Sequence, residues 1–481
     1  MTLYDYIIFV VYFLAVLSVG VYFYRKNKDR EDYYVGGRSM APSHIGMSIV
    51  ATDVGGGFSI GLGGLGFIMG LSGSWLLFTG LVGAWLAAVL IIPKIKAVDS
   101  KLGMLTFPDF LKHKYNKKVA MAAAIISAIG YLGFTSAQIL AGAKLAAGSV
   151  FANIQWDIDP LKLALYVMAV IILLYTVLGG LKAVIYTDTI QWMILLGGLF
   201  FFGVPFAYFK AGGLSALQAT LPANFFTLTN ISWVQFTNWF FTIVPIWFIA
   251  MTLYQRIYAT KSVGDAKKAF FVAGLLEYPI MSFIGVFLGM ISRTFFPDVE
   301  AEMGLPMLLR DVLPIGITGV VIAAYFSAIM STADSCLIAS SGNFVNDLIE
   351  PYLLPKMADK HILRVSNLVT LIVGAVALLI ASSFATVLEI ILHAYSFMVA
   401  GLFIPTLGAY FWKKSHPHAA LTSMLVGGTI TLIFIFTNFS LPLGLDASIY
   451  GIAISAMIFF PYSYVLSLTS KTESIKNVRH Y

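Results

Sequence analysis

Mostly apolar runs of about 20 residues, with few charges, follow one another from end to end of this chain, and they decide what it can become. A helix that crosses about 30 Å of hydrocarbon needs a run of that length. The sequence offers thirteen, at roughly 3–24, 42–70, 73–97, 119–150, 160–180, 184–208, 234–257, 269–292, 312–346, 363–383, 385–412, 419–437 and 446–468. One such run could be the buried core helix of a large soluble protein, but thirteen in series cannot. The charge to cover a water-facing surface is also missing. Only 11% of the 481 residues are charged and 59% are apolar, whereas soluble domains carry about 25% charge. The chain therefore reads as an all-α integral membrane protein. A cytosolic enzyme, a disordered chain and a nucleic-acid binder do not fit. A single cysteine, Cys336, leaves no disulfide framework and no cysteine-based metal cluster.

The first run keeps full helical length, has Asp5 ahead of its apolar core and is followed by basic residues, so it reads as a retained span and not a cleaved signal. Lys and Arg retained on the inner side set orientation. With the N-terminus outside, 25 of the 30 Lys and Arg fall on inner loops, among them Arg25, Lys28, Arg30, Arg38, Lys182, Arg256, Lys356 and Arg479. Lys162, Lys210, Arg293 and Arg310 fall outside, and Lys144 lies within a span. A wrong map would mix the loops. The net charge of +7 is thus a consequence of topology, and the C-terminus is expected in the cytoplasm. The longest connection, about 209–233, holds an Asn230-Ile231-Ser232 triplet of the glycosylation type, which is common by chance.

Two spans depart from plain apolar helix. In the second, Asp53 is followed by Gly55-Gly56-Gly57, and Gly61, Gly63, Gly64 and Gly66 come after. Each mid-helix glycine costs about 1 kcal/mol relative to Ala, and a mid-membrane aspartate costs several more. The spacing predicts an unwound stretch over 53–57 facing a polar cavity, where freed carbonyls can hold a cation. Gly61 to Gly66 read instead as close helix packing. In the ninth span, Ala328, Ser331 and Thr332 share one helix face. One carbonyl and two hydroxyls suit a small hard cation. On the residues alone, hydrogen bonds to the preceding turn are the simpler account. Span seven holds Pro245 and Trp247 among few charges. A broken helix in corresponding places of two halves marks an inverted-repeat carrier with its site at the midplane. The halves would be 42–208 and 234–412, with 1–30 and 413–481 peripheral.

These residues resemble the sodium/solute symporter family, in particular its bacterial sodium/proline branch and, in part, its high-affinity choline branch. The likeness rests on Gly36-Gly37-Arg38-Ser39, Ala51-Thr52-Asp53-Val54 and Leu105-Thr106-Phe107-Pro108-Asp109-Phe110. It rests also on Tyr175-Thr176-Val177-Leu178-Gly179-Gly180-Leu181, Tyr186-Thr187-Asp188-Thr189-Ile190-Gln191 and Met330-Ser331-Thr332. The resemblance implies a core of two inverted five-helix repeats of the LeuT type. It implies a sodium ion held by the carbonyls of Ala51, Val54 and Ala328 and the hydroxyls of Ser331 and Thr332. It also implies that Asp53 sits near the ion, that Asp188 lies on the inward ion path towards water, and that Arg38 serves coupling on the cytoplasmic side. The local alternatives are a structural hydrogen bond for Asp53, a helix cap for Asp188 and a topology charge for Arg38.

For the solute, the candidate lining residues are Phe58, Tyr131, Phe134, Gln138, Trp247, Tyr254, Tyr395 and Phe397. The choline branch has a Trp where Asp53 stands, which counts against a quaternary ammonium in an aromatic cage. No arginine is expected at mid-depth in spans two or seven to clamp a carboxylate. The expected function is sodium-coupled symport of a small neutral or zwitterionic solute, amino-acid-like in preference, by alternating access at the plasma membrane. Sodium is the coupling ion, with no organic cofactor and no obligate protein partner. Proton coupling on the same fold is the alternative. A membrane-embedded transferase would need clustered His, Asp or Glu at a membrane face, and a sensor would need a long cytoplasmic extension. Neither is visible.

Overall fold

The computed structural model describes residues 1–26, 35–152, 158–178, 181–354, 359–437 and 439–478. Lys28, Arg30, Gly179, Gly180, Lys356 and Arg479 lie outside the described residues. Those described are helical throughout, with one isolated bridge, Met40 to Thr260, and no strand.

α1 spans Leu3–Lys26. The second expected span is two helices, α2 (Pro42–Asp53) and α3 (Gly55–Met69). Gly70, at φ +69°, ends α3, and a 3-10 turn leads into α4 (Trp75–Leu90). α5 (Ile92–Leu102) starts with Pro93 in its first turn and ends on left-handed Gly103. α6 (Phe107–Lys114) explains the Thr-Phe-Pro-Asp motif. Thr106 caps the helix by accepting from the Asp109 amide at 3.2 Å, while the Asp109 carboxylate accepts from the Thr106 amide at 3.3 Å. α7 (Lys117–Gly148) is capped by Asn116, and α8 (Pro160–Leu178) and α9 (Leu181–Gly198) follow.

The seventh expected span is also two helices, α10 (Trp233–Ile243) and α11 (Met251–Ala259). Between them lie a 3-10 turn over Val244–Phe248 and two non-helical residues, and the pieces bend by 41°. α12 (Val263–Leu276) and α13 (Phe283–Phe295) are joined through a π-turn at Glu277–Ser282. The connection expected after span eight instead holds α14 (Ala301–Val312), whose Glu302, Leu305 and Leu309 are buried. α15 (Ile317–Phe344), α16 (Asp359–Ala381), α17 (Val387–Phe411), α18 (Pro417–Thr437) and α19 (Ala447–Val478) complete the described chain.

Among the described residues nine helical stretches are long and apolar enough to cross a membrane, or ten if the bent pair counts as one. Two effects lower this number from thirteen. Gly55–Leu90 runs through two expected spans as one helical stretch, and of α1 and α8 only Leu3–Val16 and Pro160–Leu174 enter the count among the residues whose side chains are described. The molecule is centred on α15: the most apolar window of 317–352 is 100% buried, against 22% for Ala447–Leu468. A helix apolar on every side and buried on every side belongs in the protein interior, whereas α18 and α19 leave much apolar surface outward, as lipid contact requires.

The α3 glycines at 63 and 66 pack as expected. A Cβ on either would strike α13 or α14: at Gly66 it would overlap the Val286 backbone, and at Gly63 it would stand 2.9 Å from Leu305 Cβ. α14 is fixed by a buried ion cluster. Lys144 of α7 contacts Glu302 at 2.6 Å and Glu300 at 2.9 Å. The Glu302 carboxylate also accepts the amides of Val387 and Leu388, at 2.8 and 3.1 Å, at the start of α17. Those amides are orphan donors of a helix N-terminus, and a carboxylate is their favourable partner.

Candidate functional site: the two helix breaks against the central helix

The break in span two is narrower than the expected 53–57. Val54 keeps helical angles, Gly55 alone turns left-handed at φ +48°, and Gly56 and Gly57 are already in α3. The glycines serve approach as much as backbone freedom. A Cβ on Gly55 would overlap Thr332, one on Gly56 would overlap Ile329, and one on Gly57 would stand 2.5 Å from Gln138 Nε2. α15 and α7 therefore come against the break at backbone distance.

Of the five residues matched to a sodium site, three converge. The Thr332 hydroxyl lies 2.7 Å from the Ala51 carbonyl and 3.0 Å from the Ala328 carbonyl. The second contact is the hydrogen bond to the preceding turn that the residues alone suggested. Ser331 instead donates across to Asp188, and the Val54 carbonyl accepts from the Phe58 amide at 3.1 Å.

Asp188 is not near water, as had been expected, but fully buried. It accepts from Ser48 at 2.5 Å and from Ser331, and it faces the Arg256 guanidinium at 3.6 Å. Arg256, assigned from sequence to an inner loop, is a wholly buried residue of α11. So span seven does carry a buried arginine. It also donates to Ser48 at 3.1 Å, to Thr52, to Ser335 at 3.2 Å and to the Thr252 carbonyl at 3.1 Å. One guanidinium thus ties the second half of span seven to α2 and α15, and its charge balances Asp188. A fully desolvated charge needs such a partner. The sequence holds one clue to it, since an in-span Asp188 demands a cation and Arg256 stands at the end of a neighbouring span.

Asp53 is 8% exposed, and Tyr395 donates to it at 3.4 Å. Phe58, Phe134 and Tyr395 form one ring cluster with centroids 5.3 to 6.3 Å apart. Gln138 joins them by accepting the Gly57 amide at 3.0 Å. Tyr131 touches the other break: its hydroxyl oxygen accepts the Thr252 amide at 3.1 Å, near the start of α11. A cavity of about 910 Å³ is lined in part by Gly61, Leu388, Leu392 and Ser396, and none of the cluster's rings lines it.

Three candidates stand apart. Tyr254 belongs to a second aromatic group, 2.7 Å from the Tyr410 hydroxyl and against Phe107. Phe397 lies against Gly428 of α18, where an added Cβ would meet it at 3.2 Å. Trp247 packs on Phe270 beside α4. Arg38 follows two left-handed glycines and contacts Asp99 at 2.5 Å and the Met104 carbonyl at 2.7 Å, away from the residues matched to the sodium site. Near it Met40 donates to the Ala259 carbonyl at 3.1 Å.

The sequence matches the family model described as sodium:solute symporter family over residues 33–427. The chain belongs to the sodium:solute symporter family. It is 25% identical over 464 residues to the osmoregulated proline transporter OpuE of Bacillus subtilis, covering 92% of this chain and 91% of that one. It is 27% identical over 524 residues to a sodium/glucose cotransporter of Vibrio parahaemolyticus, covering 98% and 91%. Its fold is that of a Na+-coupled sialic acid symporter solved substrate-bound and outward-open. The two share 21% identity at a TM-score of 0.78, over 96% of this chain and 98% of that one. Family membership makes the protein a multi-pass membrane carrier for sodium-coupled solute symport, and not an enzyme.

Proposed function

We propose that the protein moves a small amino-acid-like solute into the cell, with sodium, by alternating access across the plasma membrane. The single observation that carries this reading is the convergence of the Ala51 carbonyl, the Ala328 carbonyl and the Thr332 hydroxyl where span two breaks. Neutral oxygens at a helix break are what a hard monovalent cation needs. Val54 and Ser331 complete the set, with Ser331 shared between the ion and Asp188. Asp53 holds its charge close to the ion, Asp188 sets the position of Ser331, and Arg38 holds the inner face through Asp99. Phe58, Phe134, Gln138 and Tyr395 line the solute site, and Tyr131 fixes the second break beside it. Trp247, Tyr254 and Phe397 are left with packing or later roles.

The proposed map has thirteen spans, with the N-terminus outside and the C-terminus in the cytoplasm. Residues 42–208 and 234–412 form the two inverted repeats, and 1–30 and 413–481 are peripheral. Breaks at Val54–Gly55 and Ile249–Ala250 in corresponding spans support it. Sodium bound between α2 and α15 stabilises the outward-open form and orders the solute site, and solute then permits closure. The membrane potential adds about 2.3 kcal/mol per charge per 100 mV. The relatives named for proline support an amino-acid-like solute, while others are named for glucose or myo-inositol.

Uptake into proteoliposomes under imposed sodium or proton gradients tests the reading. Sodium-driven accumulation is expected, and Ser331→Ala with Thr332→Ala should raise half-maximal sodium by roughly tenfold or more, the effect of about 1.4 kcal/mol, at unchanged protein level. Accumulation driven by protons alone, or unaltered sodium dependence in the double variant, would place the coupling elsewhere.

A further inference from the structure

Glu277 has no part in the ion site. It sits at the start of the π-turn that interrupts span eight, is wholly buried, and both its carboxylate oxygens lack a hydrogen-bond partner. π-turns inside α-helices recur at functional sites. Across from it, in the 3-10 segment of span seven, the Trp247 indole N–H is equally buried and unpartnered. The two share one spot. A Cβ on Gly80 of α4 would stand 2.8 Å from Glu277 Oε2 and 4.0 Å from Trp247 Nε1. Gln138 Nε2, at the Gly57 break, is another buried donor without an acceptor.

Buried polar groups left unmatched in a native structure call for an explanation such as a ligand, an ion or an ordered water. The indole N–H presents its positive end here, which disfavours a bare cation and asks for a partner that also accepts. The buried cations nearby are committed, Arg256 to Asp188 and its hydroxyls, Lys144 to Glu300 and Glu302. One molecule that donates hydrogen bonds with positive charge to Glu277 and offers an acceptor to the indole N–H satisfies both. An ammonium group fills the first requirement by charge-assisted hydrogen bonds, and a carboxylate or carbonyl on the same molecule fills the second.

We propose that Glu277 binds the solute's protonated amine, so that this carrier is specific for amine-bearing solutes over sugars and polyols. The assignment rests on the symport reading above and narrows its substrate class. A carboxylate poised for an ammonium discriminates strongly, because a solute lacking the donor leaves the buried acceptor unmatched.

Equilibrium binding to the purified full chain in sodium chloride tests the proposal. The probes are a panel of small amines and amino acids including L-proline, each paired with its oxygen isostere (tetrahydrofuran-2-carboxylate for proline), together with glucose and myo-inositol. Binding is expected from amine-bearing probes, at least tenfold weaker binding from their isosteres, and none from the sugars and polyols. Glu277→Gln should weaken the amine probe by tenfold or more and erase the preference over its isostere, with sodium affinity unchanged. Gly80→Ala keeps the charge but crowds Oε2 and should weaken the same probe less. The wild-type isostere comparison stands even if Glu277→Gln fails to fold. Binding of a sugar or polyol, failure of every amine to bind, or an unchanged amine preference in Glu277→Gln would overturn the assignment. Amine binding without any effect of sodium would sink the symport reading and leave this one standing.

Discussion

The two broken spans reach similar geometry by different chemistry. In span two the interruption is one glycine wide. The Val54 amide still bonds the Val50 carbonyl at 3.0 Å, and the Phe58 amide bonds the Val54 carbonyl at 3.1 Å, so few backbone bonds are given up. What Gly55 provides is a left-handed backbone and room for Thr332. In span seven the interruption runs from Val244 to Ala250, starts beside Pro245 and turns the chain by 41°. Groups freed there are met by side chains: Tyr131 accepts the Thr252 amide and Tyr254 donates to the Phe248 carbonyl at 2.9 Å, while Arg256 crosses from α11 to α2 and α15. The first break depends on the absence of a side chain and the second on the presence of several. A narrow break with its bonds intact can hold ion ligands rigidly, whereas a long one held by side chains can be re-wired.

Substitutions can break this contrast. The largest effect is expected for Arg256→Gln, which strands Asp188 in a dry interior and should cost about 3–5 kcal/mol of stability. Thermal unfolding in detergent should show that loss, and adding Asp188→Asn should recover a good part of it. No recovery would mean that the guanidinium acts through its hydroxyl contacts and not through charge. Next, Gly55→Ala forces a side chain into the left-handed region, at about 1–2 kcal/mol, and into Thr332. Sodium-driven uptake should fall roughly tenfold with half-maximal sodium raised, and a normal sodium response would show that the close approach is not needed. The smallest effect is expected for Pro245→Ala. Its change in stability should stay within about 1 kcal/mol, since Tyr131 and Arg256 hold the break without the proline. A collapse of uptake in this variant would make the second break as locally determined as the first.

That contrast also decides what could be read from sequence. Asp53-Val54-Gly55-Gly56-Gly57 announced its break because glycine beside a buried acid has few other uses in a membrane. Pro245 gave a weak signal, and nothing local marked Ile249–Ala250, because tertiary contacts fix that stretch. Arg256 was counted as a loop charge for the same reason: sequence position gives its distance to the end of a span and not to Asp188. α14 reads in sequence as a connection, since Glu300, Glu302 and Arg310 lower the apolar signal of a helix that is nonetheless largely buried. Glu277 stood inside an apolar run with no periodicity to set it apart. The shared face of Ala328, Ser331 and Thr332 was legible from spacing alone, and Phe58, Phe134 and Tyr395 meet across three helices that spacing cannot bring together.

The bond from Glu302 to the first amides of α17 gives that helix a fulcrum. Tyr395 lies eight residues beyond Val387, about 12 Å along a rod rising about 1.5 Å per residue. A tilt of about 10° about the Glu302 contact swings the Tyr395 ring by roughly 2 Å over that arm, enough to part it from Phe134. Lys144 holds the fulcrum to α7, which carries Phe134, so ring and counter-ring turn about one anchored point. Opening the proposed solute site would then be a matter of leverage at a single carboxylate, two helical turns away from the rings it would govern.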